Sequence, residues 1–67
     1  MISIEVNGQS RELASGSSIT DLLTDMALTG QRVAVECNME IIPRSQHASM
    51  ALKAGDQLEI VHAIGGG

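Results

Sequence analysis

The sequence predicts an α+β domain in which a mixed sheet of four to five strands packs on one main helix. Three observations carry that expectation. Apolar and polar residues alternate in short runs at the start, middle and end of the chain. One segment alone has full helical periodicity, and an Asn-Gly pair joins the first two alternating runs. With 67 residues the chain has room for one domain, expected over 1–64 with 65–67 as a flexible glycine tail. Phe, Tyr and Trp are absent, so Ile, Leu, Val, Ala and Met must build the core. Seven Ile, six Leu and four Val supply a quarter of the chain, more than a disordered sequence carries.

Taken in order, Ile2, Ile4 and Val6 alternate with Ser3, Glu5 and Asn7, the period of a half-buried strand. Asn7-Gly8 then signals a hairpin because both residues tolerate positive φ, and Gln9 to Leu13 is the return strand. Ser18 is placed to cap a helix, with Asp21 three residues on completing a shortened capping box. Ile19, Leu22, Leu23 and Met26 form one apolar stripe, and Gly30 is the expected stop for a helix from Ile19 to about Leu28. Val33, Val35 and Cys37 mark a third strand, Asn38-Met39 a turn, and Glu40 to Ile42 a short strand closed by Pro43. Residues from Arg44 to Leu52 predict at most a short helical turn. Lys53-Ala54-Gly55-Asp56 is a tight turn, and Gln57 to Ile64 is the last strand, leading into three glycines.

Net charge is −4, from eight acids against four bases with no basic cluster. Nucleic-acid binding and an anionic membrane surface both need a positive footprint, so both are disfavoured. A protein partner with an electropositive docking face suits this balance better. The single cysteine rules out an internal disulfide and a thiolate cluster. No apolar run approaches the ~20 residues of a membrane-spanning helix, and the first residues lack a signal peptide's basic region. A cytoplasmic location is the expectation.

The tail is the most suggestive feature. Gly65, Gly66 and Gly67 offer reach without width, so they can thread a narrow channel and present an uncrowded carboxylate. Composition alone leaves a frayed end equally open. Elsewhere the chemistry is thin. Cys37 shares a strand face with Val33 and Val35, which favours a buried, inert thiol over a sulfur-accepting one. His47 and His62 lack a spaced third ligand, so no metal site is expected. Arg44 after Pro43 is a candidate for docking an acidic partner surface. Val61, Ala63 and Ile64 lead into the tail on the face opposite Leu58 and Ile60, where exposure would make an apolar docking patch framed by Asp56 and Glu59.

Motifs along the whole chain decide between debris and function. These are the opening Ile/Val strand with its Asn-Gly turn, the Ser-capped helix with Leu22-Leu23, and Val33-Ala34-Val35 leading to Asn38. Ile42-Pro43-Arg44-Ser45, Gly55-Asp56 and the final Gly66-Gly67 follow. Together they resemble the ThiS family, small ubiquitin-like sulfur carriers of thiamin biosynthesis with a β-grasp fold. Met39 stands where such chains often have Gly, which disfavours a tight primed turn and predicts a longer or strained loop.

The resemblance implies a fold in which the first and last strands are parallel neighbours at the sheet's centre. It also implies a carrier that is a protein co-substrate, with no bound cofactor. An E1-like adenylyltransferase of the ThiF type would use ATP to adenylate the Gly67 carboxylate. Sulfur from a cysteine-derived persulfide would then leave a thiocarboxylate, and a thiazole synthase of the ThiG type would take that sulfur. Two rivals share the tail: a MoaD-like carrier for molybdopterin, and a ubiquitin-like modifier joined to lysine through Gly67. A hydrolase or metal enzyme built on Cys37 and the histidines is a third class.

Overall fold

A computed structural model of the chain describes residues 1–63. Five strands and one helix follow in the order β1 (Ile2–Val6), β2 (Gln9–Leu13), α1 (Ile19–Asp25), β3 (Val33–Cys37), β4 (Glu40–Ile41) and β5 (Gln57–His62). A 3-10 turn at Arg44–Gln46 lies between β4 and β5.

The opening hairpin closes on two residues, with Val6 opposite Gln9 and Ile2 opposite Leu13. Asn7 at φ 51° and Gly8 at φ 81° supply the two left-handed conformations that such a turn requires. The second hairpin closes the same way, with Cys37 opposite Glu40. There Asn38 takes φ 52° and Met39 φ 72°. The Met39 loop is therefore tight and strained, since a β-carbon is disfavoured in that region.

α1 begins as its residues require. The Ser18 hydroxyl accepts from the Asp21 amide at 3.1 Å, and the Asp21 carboxylate accepts from the Ser18 amide at 2.9 Å. The helix is shorter than the periodicity suggests, because the chain turns left-handed at Ala27 (φ 60°) rather than waiting for Gly30. The amides of Ala27 and Leu28 donate back to the carbonyls of Thr24 and Leu23, which is a Schellman ending with alanine in the usual glycine position. Leu28 is half-buried against the core, so the hydrophobic contact of that motif outweighs the strain at Ala27.

The sheet order is β2-β1-β5-β3-β4. β5 runs parallel to β1, pairing Glu5 with Gln57 and Val6 with Leu58. It runs antiparallel to β3, from Cys37 opposite Leu58 to Val33 opposite His62. Two boundaries differ from expectation. β4 is assigned to Ile41; the Ile42 amide still donates to the Val35 carbonyl at 2.9 Å, one rung further in the same register, and Pro43, which has no amide hydrogen, ends the run. β5 ends at His62, and Ile64 lies outside the described residues.

One face of the sheet carries Ile4, Val6, Leu13, Val35, Cys37, Leu58 and Ile60, all buried together with Ile19, Leu22 and Leu52. Ile19 and Leu22 are 0% exposed, so the helix stripe is the centre of this aromatic-free core. At about 25 cal/mol per Å² of apolar surface, burial of these small side chains is what holds the domain together. Among the described residues no helix is long and apolar enough to cross a membrane.

Candidate tail-presenting site

β5 is the strand that leads to the C-terminal glycines, and it is gripped from both sides. The Glu5 amide donates to the Asp56 carbonyl and the Asn7 amide to the Leu58 carbonyl, each at 2.9 Å. β1 ends opposite Leu58, and the Asn7 side chain then continues its ladder by one step. Its Oδ1 accepts from the Ile60 amide at 2.9 Å, while its Nδ2 donates to the Ile60 carbonyl at 3.1 Å. Asn38 grips the start of β5 from the other hairpin. Its Oδ1 accepts from the Gln57 amide at 3.0 Å, and its Nδ2 reaches the Asp56 carboxylate at 3.1 Å.

The left-handed turns make these clamps possible. Each turns an asparagine out of its own hairpin and toward β5, so backbone conformation and side-chain reach are one requirement. Asp56 also accepts from the Lys53 amide at 2.9 Å, which fixes the turn that launches the strand. Beyond Ile60 the register continues on β3: His62 lies opposite Val33, and the Ala63 amide donates to the Arg32 carbonyl at 3.0 Å. The expected tail residues Gly65, Gly66 and Gly67 lie outside the described residues.

The surfaces around β5 differ in charge. On the face opposite the helix, alternation places Glu5, Glu12, Glu36 and Glu59 with Ala34, Ile41 and Val61. Glu36 and Glu59 are direct cross-strand partners, an arrangement that costs stability because like charges meet. Val61 is 58% exposed there, and Ala63 is also exposed, at the root of the tail. A concavity of about 430 Å³ on this side is lined by Glu5, Glu36, Glu59 and Met39 among others.

A second groove, of about 310 Å³, lies at the end of α1 and has the opposite character. Leu23, Leu28 and Val33 contribute its apolar lining, and Arg32 and Arg44 its charge. Arg44 is exposed and has no ion-pair partner among the described residues. It therefore sits on a different part of the surface from Val61, and the structure does not bring these two docking candidates together.

Of the remaining candidates, Cys37 and His47 belong to the buried framework. Cys37 is buried, and burial first, then the Asp56 and Glu40 carboxylates, push its thiol above the ordinary range. That disfavours the thiolate a sulfur acceptor needs. His47 is 6% exposed, with Nε2 3.0 Å from the Ile42 carbonyl, and its own carbonyl accepts from the Thr20 amide. It ties the 3-10 turn to the helix. His62 is exposed on β5. Among the described residues no group of three or more His, Cys, Asp or Glu could hold a metal.

Sequence reading missed Asn7 and Asn38 as clamps and Arg32 as a neighbour of Arg44. The asparagines were visible as turn formers, but their reach to β5 depends on strand order. Arg32 and Arg44 are twelve positions apart, and only the fold makes them neighbours.

A family model described as the ThiS family matches residues 4–67. A thiazole synthase of Paramagnetospirillum magneticum is 42% identical over 62 residues, covering 92% of this chain and 19% of that protein. The chain thus spans about a fifth of the length of that relative. A protein named sulfur carrier protein ThiS from Escherichia coli is 31% identical, with 91% of this chain and 92% of that one covered. The crystal structure of a thiamine biosynthesis protein (ThiS) from Geobacter metallireducens superposes with a TM-score of 0.84 at 29% identity, over 98% of this chain and all of that one.

Proposed function

Because the chain belongs to the ThiS family of sulfur carriers in thiamin biosynthesis, we propose that it is a protein co-substrate whose Gly67 carboxylate carries sulfur to thiazole formation. An E1-like adenylyltransferase uses ATP to convert that carboxylate to an acyl adenylate and releases pyrophosphate. The outer sulfur of an enzyme cysteine persulfide displaces AMP to form an acyl disulfide. Attack of a second thiol on the persulfide's cysteine sulfur breaks that S–S bond, so that the two thiols end as a disulfide and the thiocarboxylate is released. A thiazole synthase takes the sulfur, and the carboxylate returns for another round. The chain itself holds no cofactor in this cycle. A synthase containing a segment so similar to this chain supports that choice of acceptor.

The observation that carries the reading is the treatment of β5. Its first four residues are held by two neighbouring strands and two asparagine side chains, so the glycines depart from a fixed point. Gly65 and Gly66 serve as the slim passage into a partner's active site. Val61, Ala63 and Ile64 form the apolar contact beside it, within an acidic surround that suits an electropositive partner. Arg44 makes a separate contact. Repulsion between Glu36 and Glu59 in the free carrier would be relieved by such a partner.

Intact mass spectrometry after incubation with the adenylyltransferase, ATP and a sulfur source tests this reading. The expected product has one oxygen exchanged for sulfur at the terminus, and deletion of Gly67 abolishes it while Cys37→Ala does not. Thiamin-independent growth supported by a chain lacking Gly66-Gly67 would refute it.

A further inference from the structure

The two hairpins of the sheet close on matching turns that differ at one position. Asn7 takes φ 51° and Asn38 φ 52°, but Asn7 is followed by Gly8 and Asn38 by Met39. An asparagine side chain is open to attack at Cγ by the backbone nitrogen of the next residue, and a glycine there leaves the approach unhindered. We propose that Asn7 is a site of spontaneous deamidation, held back in the folded chain by its clamp on Ile60, and that the modification releases that clamp.

The step needs only water and hydroxide. The Gly8 nitrogen loses its proton to hydroxide and bonds to Asn7 Cγ. The side-chain nitrogen, protonated by water, leaves as ammonia, and a cyclic imide remains. Water then opens the imide at either carbonyl, which gives aspartate or isoaspartate. Access is open on the solvent side, since Asn7 and Gly8 are both exposed and a β-carbon at Gly8 would meet nothing within 4 Å. The clamp opposes the reaction from the other side. Oδ1 accepts from the Ile60 amide at 2.9 Å and Nδ2 donates to the Ile60 carbonyl at 3.1 Å, a two-point contact made by a planar carboxamide. Attack makes Cγ tetrahedral, so both hydrogen bonds must open before the ring can close.

The product cannot restore the contact. An ionised aspartate side chain has only acceptors, so one oxygen still meets the Ile60 amide while the other faces the Ile60 carbonyl. It also adds a negative charge to the concavity that Asn7 and Gly8 line with Glu5, Glu36 and Glu59. Isoaspartate adds a methylene to the backbone, and the two-residue loop between Val6 and Gln9 has no slack for it. Either product loosens β5 at Ile60, just before the strand reaches its last residues. Met39 gives the second turn the opposite property. Its β-carbon is strained at φ 72°, yet its side chain shields the backbone nitrogen beside Asn38 and so protects the clamp on Gln57.

The test follows the full chain in mildly basic buffer, folded and unfolded in guanidinium chloride, by intact mass and peptide mapping. In the unfolded chain one NH is expected to exchange for one O at Asn7, at least about tenfold faster than at Asn38. Without denaturant the Asn7 rate should fall at least about tenfold, because two part-buried hydrogen bonds must first open. Denaturant below the unfolding transition should raise that rate in parallel with hydrogen exchange of the Ile60 amide. In the unfolded chain, Met39→Gly should make Asn38 a second site and Gly8→Ala should suppress the first. Asn7→Asp, which carries one product from the start, should melt at least about 4 °C lower than wild type. Equal Asn7 rates in the folded and unfolded chains would overturn protection by the clamp. Reaction at Asn38 as fast as at Asn7 in the unfolded wild type would overturn the site, and an unchanged melting temperature for Asn7→Asp its consequence. These readouts do not depend on the sulfur-carrier reading, since a chain that forms no thiocarboxylate gives the same peptide maps.

Discussion

Replacing Asn7 by glycine isolates the clamp on β5. Glycine keeps the left-handed turn at φ 51° open to the chain, so only the side-chain contacts to Ile60 are removed. Two part-buried hydrogen bonds contribute roughly 1 kcal/mol each. The extra freedom of glycine in the unfolded chain is offset by release of the β-carbon held at positive φ. The expected cost is therefore about 2 kcal/mol. That is a large share of the ~3–5 kcal/mol available to a domain of this size. The melting temperature should fall by roughly 8–16 °C, at about 4–8 °C per kcal/mol.

Thermal and urea unfolding supply the global number, and amide hydrogen exchange supplies the local one. The Ile60 amide should lose more protection than the global change explains, because its acceptor is gone even in the folded state. Thiocarboxylate formation should slow at temperatures where the variant is still folded, since the tail then departs from a looser strand. A melting temperature within about 2 °C of wild type, with Ile60 still protected, would refute the reasoning.

Two further sets of variants follow from the same structure. Met39→Gly and Ala27→Gly should each stabilise the fold by about 0.5–1 kcal/mol, because each relieves a β-carbon held at positive φ; Met39 is 91% exposed, so its loss removes no core contact. A fall in urea midpoint for either would contradict the assignment of strain. Glu59→Gln should raise stability by roughly 0.2–0.5 kcal/mol at low salt, with the gain vanishing at high salt, and should weaken binding to the electropositive partner. Stabilisation that survives high salt would mean the Glu36–Glu59 pairing is not its cause.

The fold was legible where local rules and tertiary packing agree. The alternation of Ile2, Ile4 and Val6, the Asn7-Gly8 turn and the Ser18–Asp21 box all survive in the structure because each satisfies its own backbone groups. The helix end was misplaced because Gly30 is the obvious left-handed residue, whereas the burial of Leu28 pulls the turn forward to Ala27. The parallel pairing of β1 and β5 left no mark in periodicity and came from family resemblance. For the site, the tail was visible in composition, and Val61 followed from alternation. The asparagine clamps and the Arg32–Arg44 groove were not, since each joins residues whose proximity exists only after the sheet has formed.

The overhang of β5 past Asn7 has a mechanical meaning. Tension applied along the strand loads the β1 and β3 ladders sideways and at once, so the hydrogen bonds share the force and must fail together. Tension applied across the sheet meets a different object. Ala63 and His62 are held through β3 and can peel one rung at a time, until the front reaches Ile60 and the asparagine on its far side. The domain behaves as an anchor with a short compliant leader, stiff to a straight pull and yielding to a sideways one for only the last few residues.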